Sequence, residues 1–169
     1  PTFGMYATFT DLVGGKLVSL PRDETFDVDV EAVRRVAREG AKVLFLASPN
    51  NPTGNLIDEA TVRQLLELGM LVVVDEAYYE FAGSTVAHLV PEYSNLVVLR
   101  TFSKWAGLAG LRIGYGIMDP AVAERLLVIK PPYNITVAAE VALLASLDDK
   151  ELLLSLVGSL VEERDALFK

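Results

Sequence analysis

The sequence predicts an α/β fold: a three-layer, doubly wound, mostly parallel sheet with helices on both faces. Three observations predict it. The runs Lys42–Ala47, Leu71–Val74 and Leu96–Leu99 are almost wholly apolar, and strands of that kind belong in sheets covered on both sides. Segments with apolar residues at helical spacing alternate with these runs, the order that builds parallel sheets. Polar residues cluster directly after the strand runs, at the strand ends where open α/β sheets place ligands.

Each element has its own local signal. Lys16–Leu20 reads as a short strand closed by Pro21. Asp27–Glu39 reads as a helix, with Val30, Val33, Val36 and Ala37 on one face and Gly40 as a stop. After the strand Lys42–Ala47, the stretch Ser48-Pro49-Asn50-Asn51-Pro52-Thr53-Gly54-Asn55 is turn chemistry throughout. Asp58–Leu68 reads as a helix capped by Asp58 and stopped by Gly69. Leu71–Val74 ends on Asp75-Glu76, and Leu96–Leu99 ends on Arg100-Thr101. Ile113–Met118 is a fourth strand, punctuated by Gly114 and Gly116. Asp119–Ile129, Thr136–Leu147 and Lys150–Lys169 read as helices, the first broken by Pro131-Pro132.

Composition narrows the function classes. The chain has 169 residues, one domain's worth. Fifteen basic against 23 acidic residues give a net charge of −8, which argues against a nucleic-acid partner, since phosphate backbones demand a basic face. The absence of cysteine removes disulfides, zinc–thiolate sites and thiol nucleophiles, and no metal site is expected. No apolar run approaches the roughly 18 residues of a membrane span. A cytoplasmic protein without membrane contact is the expectation. The opening at Pro1 and a helical pattern that runs to Lys169 lead us to expect a piece of a longer protein.

Three segments carry a resemblance. They are Ser48-Pro49-Asn50-Asn51-Pro52-Thr53-Gly54, Val74-Asp75-Glu76-Ala77-Tyr78, and Arg100-Thr101-Phe102-Ser103-Lys104 continuing to Gly107-Leu108-Ala109-Gly110-Leu111-Arg112. In this order and spacing they resemble pyridoxal-phosphate enzymes of fold type I, the aspartate aminotransferase superfamily. With Pro1-Thr2-Phe3-Gly4-Met5-Tyr6, they look most like its histidinol-phosphate branch. The resemblance covers essentially the whole chain. It implies that residues 1–148 are part of the large cofactor-binding domain, left incomplete, and that 149–169 lead toward a C-terminal small domain.

The resemblance also implies roles. Lys104 is the lysine that links covalently to pyridoxal 5'-phosphate, chemistry that an amine shielded in an apolar pocket performs well. Asp75 pairs with the pyridine nitrogen and keeps the ring an electron sink. Tyr78 and Asn51 donate to the phenolic oxygen. Ser103 and Arg112, with Thr101 as a third, hold the phosphate through hydroxyls and a bidentate fork. Phe3 stands at the ring-stacking position. Each has a plainer competing role: a solvated lysine, a capping aspartate, a core tyrosine, a turn asparagine, an ion-paired arginine. Glu76 is set aside because its side chain should point away from Asp75. Trp105 and His88 read as packing.

The implied reaction exchanges an amino group between histidinol phosphate and 2-oxoglutarate, yielding imidazole acetol phosphate and glutamate, within a homodimer. An aromatic aminotransferase or a threonine-phosphate decarboxylase would share these motifs. A non-catalytic binding module is the alternative of another class. A piece of a larger fold should also expose a large apolar patch.

Overall fold

The computed structural model describes residues 1–168. Apolar runs give its strands, and the two central ones are rich in valine, whose β-branched side chain suits a pleated, buried surface. They are β1 (Val43–Ala47), β2 (Leu71–Asp75), β3 (Leu96–Thr101) and β4 (Gly114–Met118), side by side in that order. The first three run parallel and β4 runs antiparallel to β3. Ala47 pairs with Asp75, Asp75 with Leu99, and Thr101 with Gly114. The carboxyl ends of three strands and the start of β4 therefore share one edge. Gly114 is required there, since a Cβ would sit 2.6 Å from the Arg100 carbonyl oxygen.

The helices are α1 (Met5–Leu12), α2 (Val30–Arg38), α3 (Glu59–Leu66), α4 (Tyr79–Ala82), α5 (Pro120–Ile129), α6 (Val137–Asp148) and α7 (Lys150–Leu167). Four of their starts follow capping chemistry. The side chains of Asp29, Asp58, Asp119 and Thr136 accept from Ala32, Thr61, Ala121 and Ala139 backbone N–H groups. Gly40, at φ 97°, ends α2 in a conformation that a side chain would resist.

One core cluster fills the face of the sheet under α2 and α3. Val33, Val62, Leu65 and Leu66 meet Leu46, Val72, Val74, Leu96 and Val98, with Leu89 closing the side. A second, smaller cluster joins Phe102, Ala106 and Ile113 to Ala139 of α6. Beyond it the packing opens. Leu127, Val128, Ile129, Val141, Leu144, Leu156 and Leu160 of α5, α6 and α7 are all exposed. The exposed apolar residues that the expectation of a patch calls for thus fall on these three helices. No helix among the described residues is long and apolar enough to cross a membrane.

Several expectations change. Residues 16–20 form no strand. Leu17 and Val18 are exposed, and β1 keeps an unpaired edge; a strand needs a neighbour to satisfy its backbone groups. The helix expected over Asp27–Glu39 begins only after Asp29, whose side chain caps it. α1 and α4 carried no legible signal. The first has no buried residue or capping side chain, and the second is a single turn. His88 is not packed: it is exposed, with Nε2 3.0 Å from Glu59 Oε2. Trp105 does pack against the second cluster, its indole nitrogen buried. The last residue of the expected helix Lys150–Lys169 lies outside the described residues.

Candidate active site

Each segment at the carboxyl edge is held by its own bonds. After β1, the loop of residues 48–55 is tied to β2 by the Ser48 N–H, which donates to the Asp75 carbonyl at 3.0 Å. Ser48 Oγ accepts from the Ile57 N–H. Asn50 is buried. It donates to Thr53 Oγ1 at 2.7 Å and to the Pro1 carbonyl at 3.0 Å, and accepts from Thr2 Oγ1 at 2.8 Å. Asn50 is thus spent on the loop and the N-terminal segment, and Asn51, half-buried, follows it in the turn.

Asp75 ends β2. Its Oδ2 accepts from the Tyr6 hydroxyl at 2.7 Å and its Oδ1 from the Ala77 N–H at 3.0 Å. Both donors are neutral, so the carboxylate is oriented without being neutralised. Tyr6 sits on α1, its ring stacked on Phe45 with centroids 5.2 Å apart. Burial, then the bond to Asp75 and its charge, pushes the Tyr6 hydroxyl well above the ordinary tyrosine range. It is a fixed donor at any physiological pH. Phe3 meets Tyr6 edge to face at 5.6 Å and keeps 42% of its surface exposed.

Tyr78 follows Asp75 by three residues, and its ring centroid lies 5.5 Å from Lys104 Nζ. The β2 and β3 ends therefore bring these two side chains together. Lys104 is exposed; the apolar pocket expected for it is not formed by the described residues alone. Ser103 N–H donates to Thr101 Oγ1 at 3.1 Å, and that hydroxyl reaches the Ile113 carbonyl at 3.4 Å. Thr101 thereby shapes the turn that presents Ser103 and Lys104. Arg112 is exposed at φ 55°, with Nη1 donating to the Ala109 carbonyl at 2.8 Å.

Two features escaped sequence reasoning. Tyr6 stands three residues after Phe3 and is the hydroxyl that orients Asp75. Glu76 and Arg100 form an enclosed ion pair, Arg100 Nη2 to Glu76 Oε2 at 2.9 Å. The sequence shows the two opposite charges, each at the end of an apolar strand, but nothing in it that pairs them. The expectation that Glu76 points away from Asp75's partners holds, since the two carboxylates share none.

Comparison with known proteins bears on this edge. The family described as aminotransferase class I and II matches residues 1–169. A histidinol-phosphate aminotransferase of Roseiflexus castenholzii is 57% identical over 168 residues, covering 99% of this chain and 45% of that protein. One from Dehalococcoides mccartyi is 46% identical, over 99% of this chain and 47% of that protein. A crystal structure of histidinol-phosphate aminotransferase from Sinorhizobium meliloti, in complex with pyridoxal-5'-phosphate, superposes with a TM-score of 0.86 at 29% identity. That match covers 98% of this chain and 47% of that one. The chain spans about half the length of the relatives it matches.

Proposed function

The chain belongs to the class I and II aminotransferase family, and from that premise we propose that it supplies the cofactor-holding core of a histidinol-phosphate aminotransferase. The reaction is histidinol phosphate plus 2-oxoglutarate interconverting with imidazole acetol phosphate plus glutamate. The observation that carries the choice of substrate is the 57% identity to the Roseiflexus castenholzii protein across 99% of this chain. Residues 1–148 are read as part of the large domain, and 149–169 as the helix toward a small domain. The exposed apolar residues of α5 to α7 suit cover by the remainder of a full-length protein and a second copy in a homodimer.

The donor set fits pyridoxal 5'-phosphate. Asp75 has only neutral hydrogen-bond partners and retains its charge for a cationic ring nitrogen. Lys104 Nζ is accessible beside the Tyr78 ring. Thr101 pairs with Gly114 in the sheet, so the chain brings the segments carrying Ser103 and Arg112 to the same strand end, which suits hydroxyl and guanidinium contacts to a phosphate. When bound, the cofactor supplies an electron-withdrawing ring that stabilises negative charge at the substrate's Cα.

This chain's residues do the rest. Lys104 would hold the cofactor aldehyde through Nζ and would move the proton at the substrate's Cα. Asp75 keeps a proton on the pyridine nitrogen, and Tyr6 fixes the carboxylate's direction. Tyr78 and Asn51 donate to the phenolic oxygen. Ser103 and Arg112 hold the phosphate, with Thr101 setting their turn, and Phe3 covers the ring face.

The test is turnover of a full-length protein with histidinol phosphate and with an aromatic amino acid, each with 2-oxoglutarate, and with threonine phosphate alone, read as released carbon dioxide. Histidinol phosphate should give the highest kcat/KM. A preference for either of the others would overturn the substrate assignment.

A further inference from the structure

Glu76 is 1% exposed and is the only charged residue in the buried class among the described residues. It takes no part in the chemistry proposed above. A buried carboxylate is costly unless every lone pair is used, and here they are used across three pieces of backbone. Thr85 Oγ1 donates to it, at 2.9 Å and 2.7 Å from its two oxygens. The Val86 N–H donates at 2.8 Å. Arg100 donates twice, from Nε at 3.0 Å and Nη2 at 2.9 Å.

The network closes on itself. Arg100 Nη2 also donates to Thr85 Oγ1 at 2.7 Å, and the Ala87 N–H donates to the same hydroxyl at 3.0 Å. The Arg100 guanidinium carbon lies 3.6 Å from the centroid of the Tyr79 ring. Between Glu76 and Thr85 runs the loop that carries Tyr78 and α4. Its two ends meet at one carboxylate, and Arg100 stitches its flank to β3. Four residues beyond Arg100 is Lys104, whose amine faces the Tyr78 ring at 5.5 Å.

We propose that Glu76, Thr85 and Arg100 are positioning residues that clamp the Tyr78 loop to the strand end carrying Lys104, and so fix the Tyr78 hydroxyl relative to the Lys104 amine. The inference rests on the reading that Lys104 and Tyr78 hold pyridoxal phosphate. The clamp touches neither cofactor nor substrate. It acts through Tyr78, by denying the loop the freedom to swing that hydroxyl away.

The experiment is a pH titration of the visible absorbance of pyridoxal phosphate bound to a full-length protein. A donor at the phenolic oxygen favours the deprotonated lysine–cofactor link, so Tyr78→Phe should raise the midpoint by about half a pH unit or more. Arg100→Lys keeps the charge and loses the fork; Thr85→Val keeps the shape and loses the hydroxyl. Each should raise the midpoint in the same direction, and neither should raise it further in a Tyr78→Phe background. Thr85→Ser should restore the wild-type midpoint, and Thr85→Val carries the test alone should Arg100→Lys fail to fold. Variants with unchanged midpoints, or with equal shifts in the presence and absence of the Tyr78 hydroxyl, overturn the clamp alone. A wild-type protein that develops no cofactor absorbance overturns the cofactor reading, and the clamp with it.

Discussion

Asp75 and Glu76 are neighbours at one strand end and carry the same charge, yet the chain holds them in opposite ways. Glu76 is enclosed and paired with a guanidinium. Asp75 is half-buried and receives only a phenol hydroxyl and a peptide N–H. The first arrangement spends the charge on the fold. The second aims the charge and leaves it available for a cation from outside. A carboxylate held by neutral donors at the carboxyl edge of a parallel sheet is the more informative of the two, because neither of its donors carries a positive charge to match its own.

The largest expected effect breaks the Glu76 side. Arg100→Met leaves a buried carboxylate without its cation, and removing one partner of such a pair costs about 3–5 kcal/mol. Urea unfolding should show that loss. Asp75→Asn, by contrast, keeps one oxygen for either Tyr6 or the Ala77 N–H but not both, and should cost about 1–2 kcal/mol, less than the loss at Arg100. In a full-length protein it should still bind pyridoxal phosphate while turnover falls severely. Equal stability losses in the two variants would erase the distinction between the residues.

A smaller effect sharpens the Asp75 side. Tyr6→Phe keeps the stack on Phe45 and removes one hydrogen bond to a charged group, worth about 1.5–3 kcal/mol. The pH dependence gives the sign. Folding raises the Tyr6 hydroxyl above its ordinary value of 10.0, chiefly by burial. Its contribution is therefore complete below about pH 10 and is lost as pH rises beyond it, where the unfolded phenol ionises and the folded one does not. Unfolding measured between neutral and strongly alkaline pH should show the gap between wild type and Tyr6→Phe narrowing at the alkaline end.

The two sides were not equally legible in the sequence. The strands and the Asp58 cap could be read because apolar runs and capping side chains act over a few residues. Asp75, Lys104 and their neighbours could be placed at one edge because parallel strands bring their carboxyl ends together. The partners could not. Tyr6 and Asp75 are 69 residues apart, and Arg100 and Glu76 are 24 apart. No local pattern encodes such a meeting. The strand expected over Lys16–Leu20 failed for the same reason, since a short run closed by a proline says nothing of whether a neighbouring edge is within reach.

The central claim is that Lys104 is the residue that holds the cofactor. It is tested most directly by adding pyridoxal phosphate to a full-length protein, reducing with borohydride, digesting and locating the pyridoxyl group by mass spectrometry. The account predicts the label on Lys104, with Lys104→Ala remaining folded and unlabelled. A label on another lysine, or a Lys104→Ala protein that still takes up the group at its active site, would contradict it.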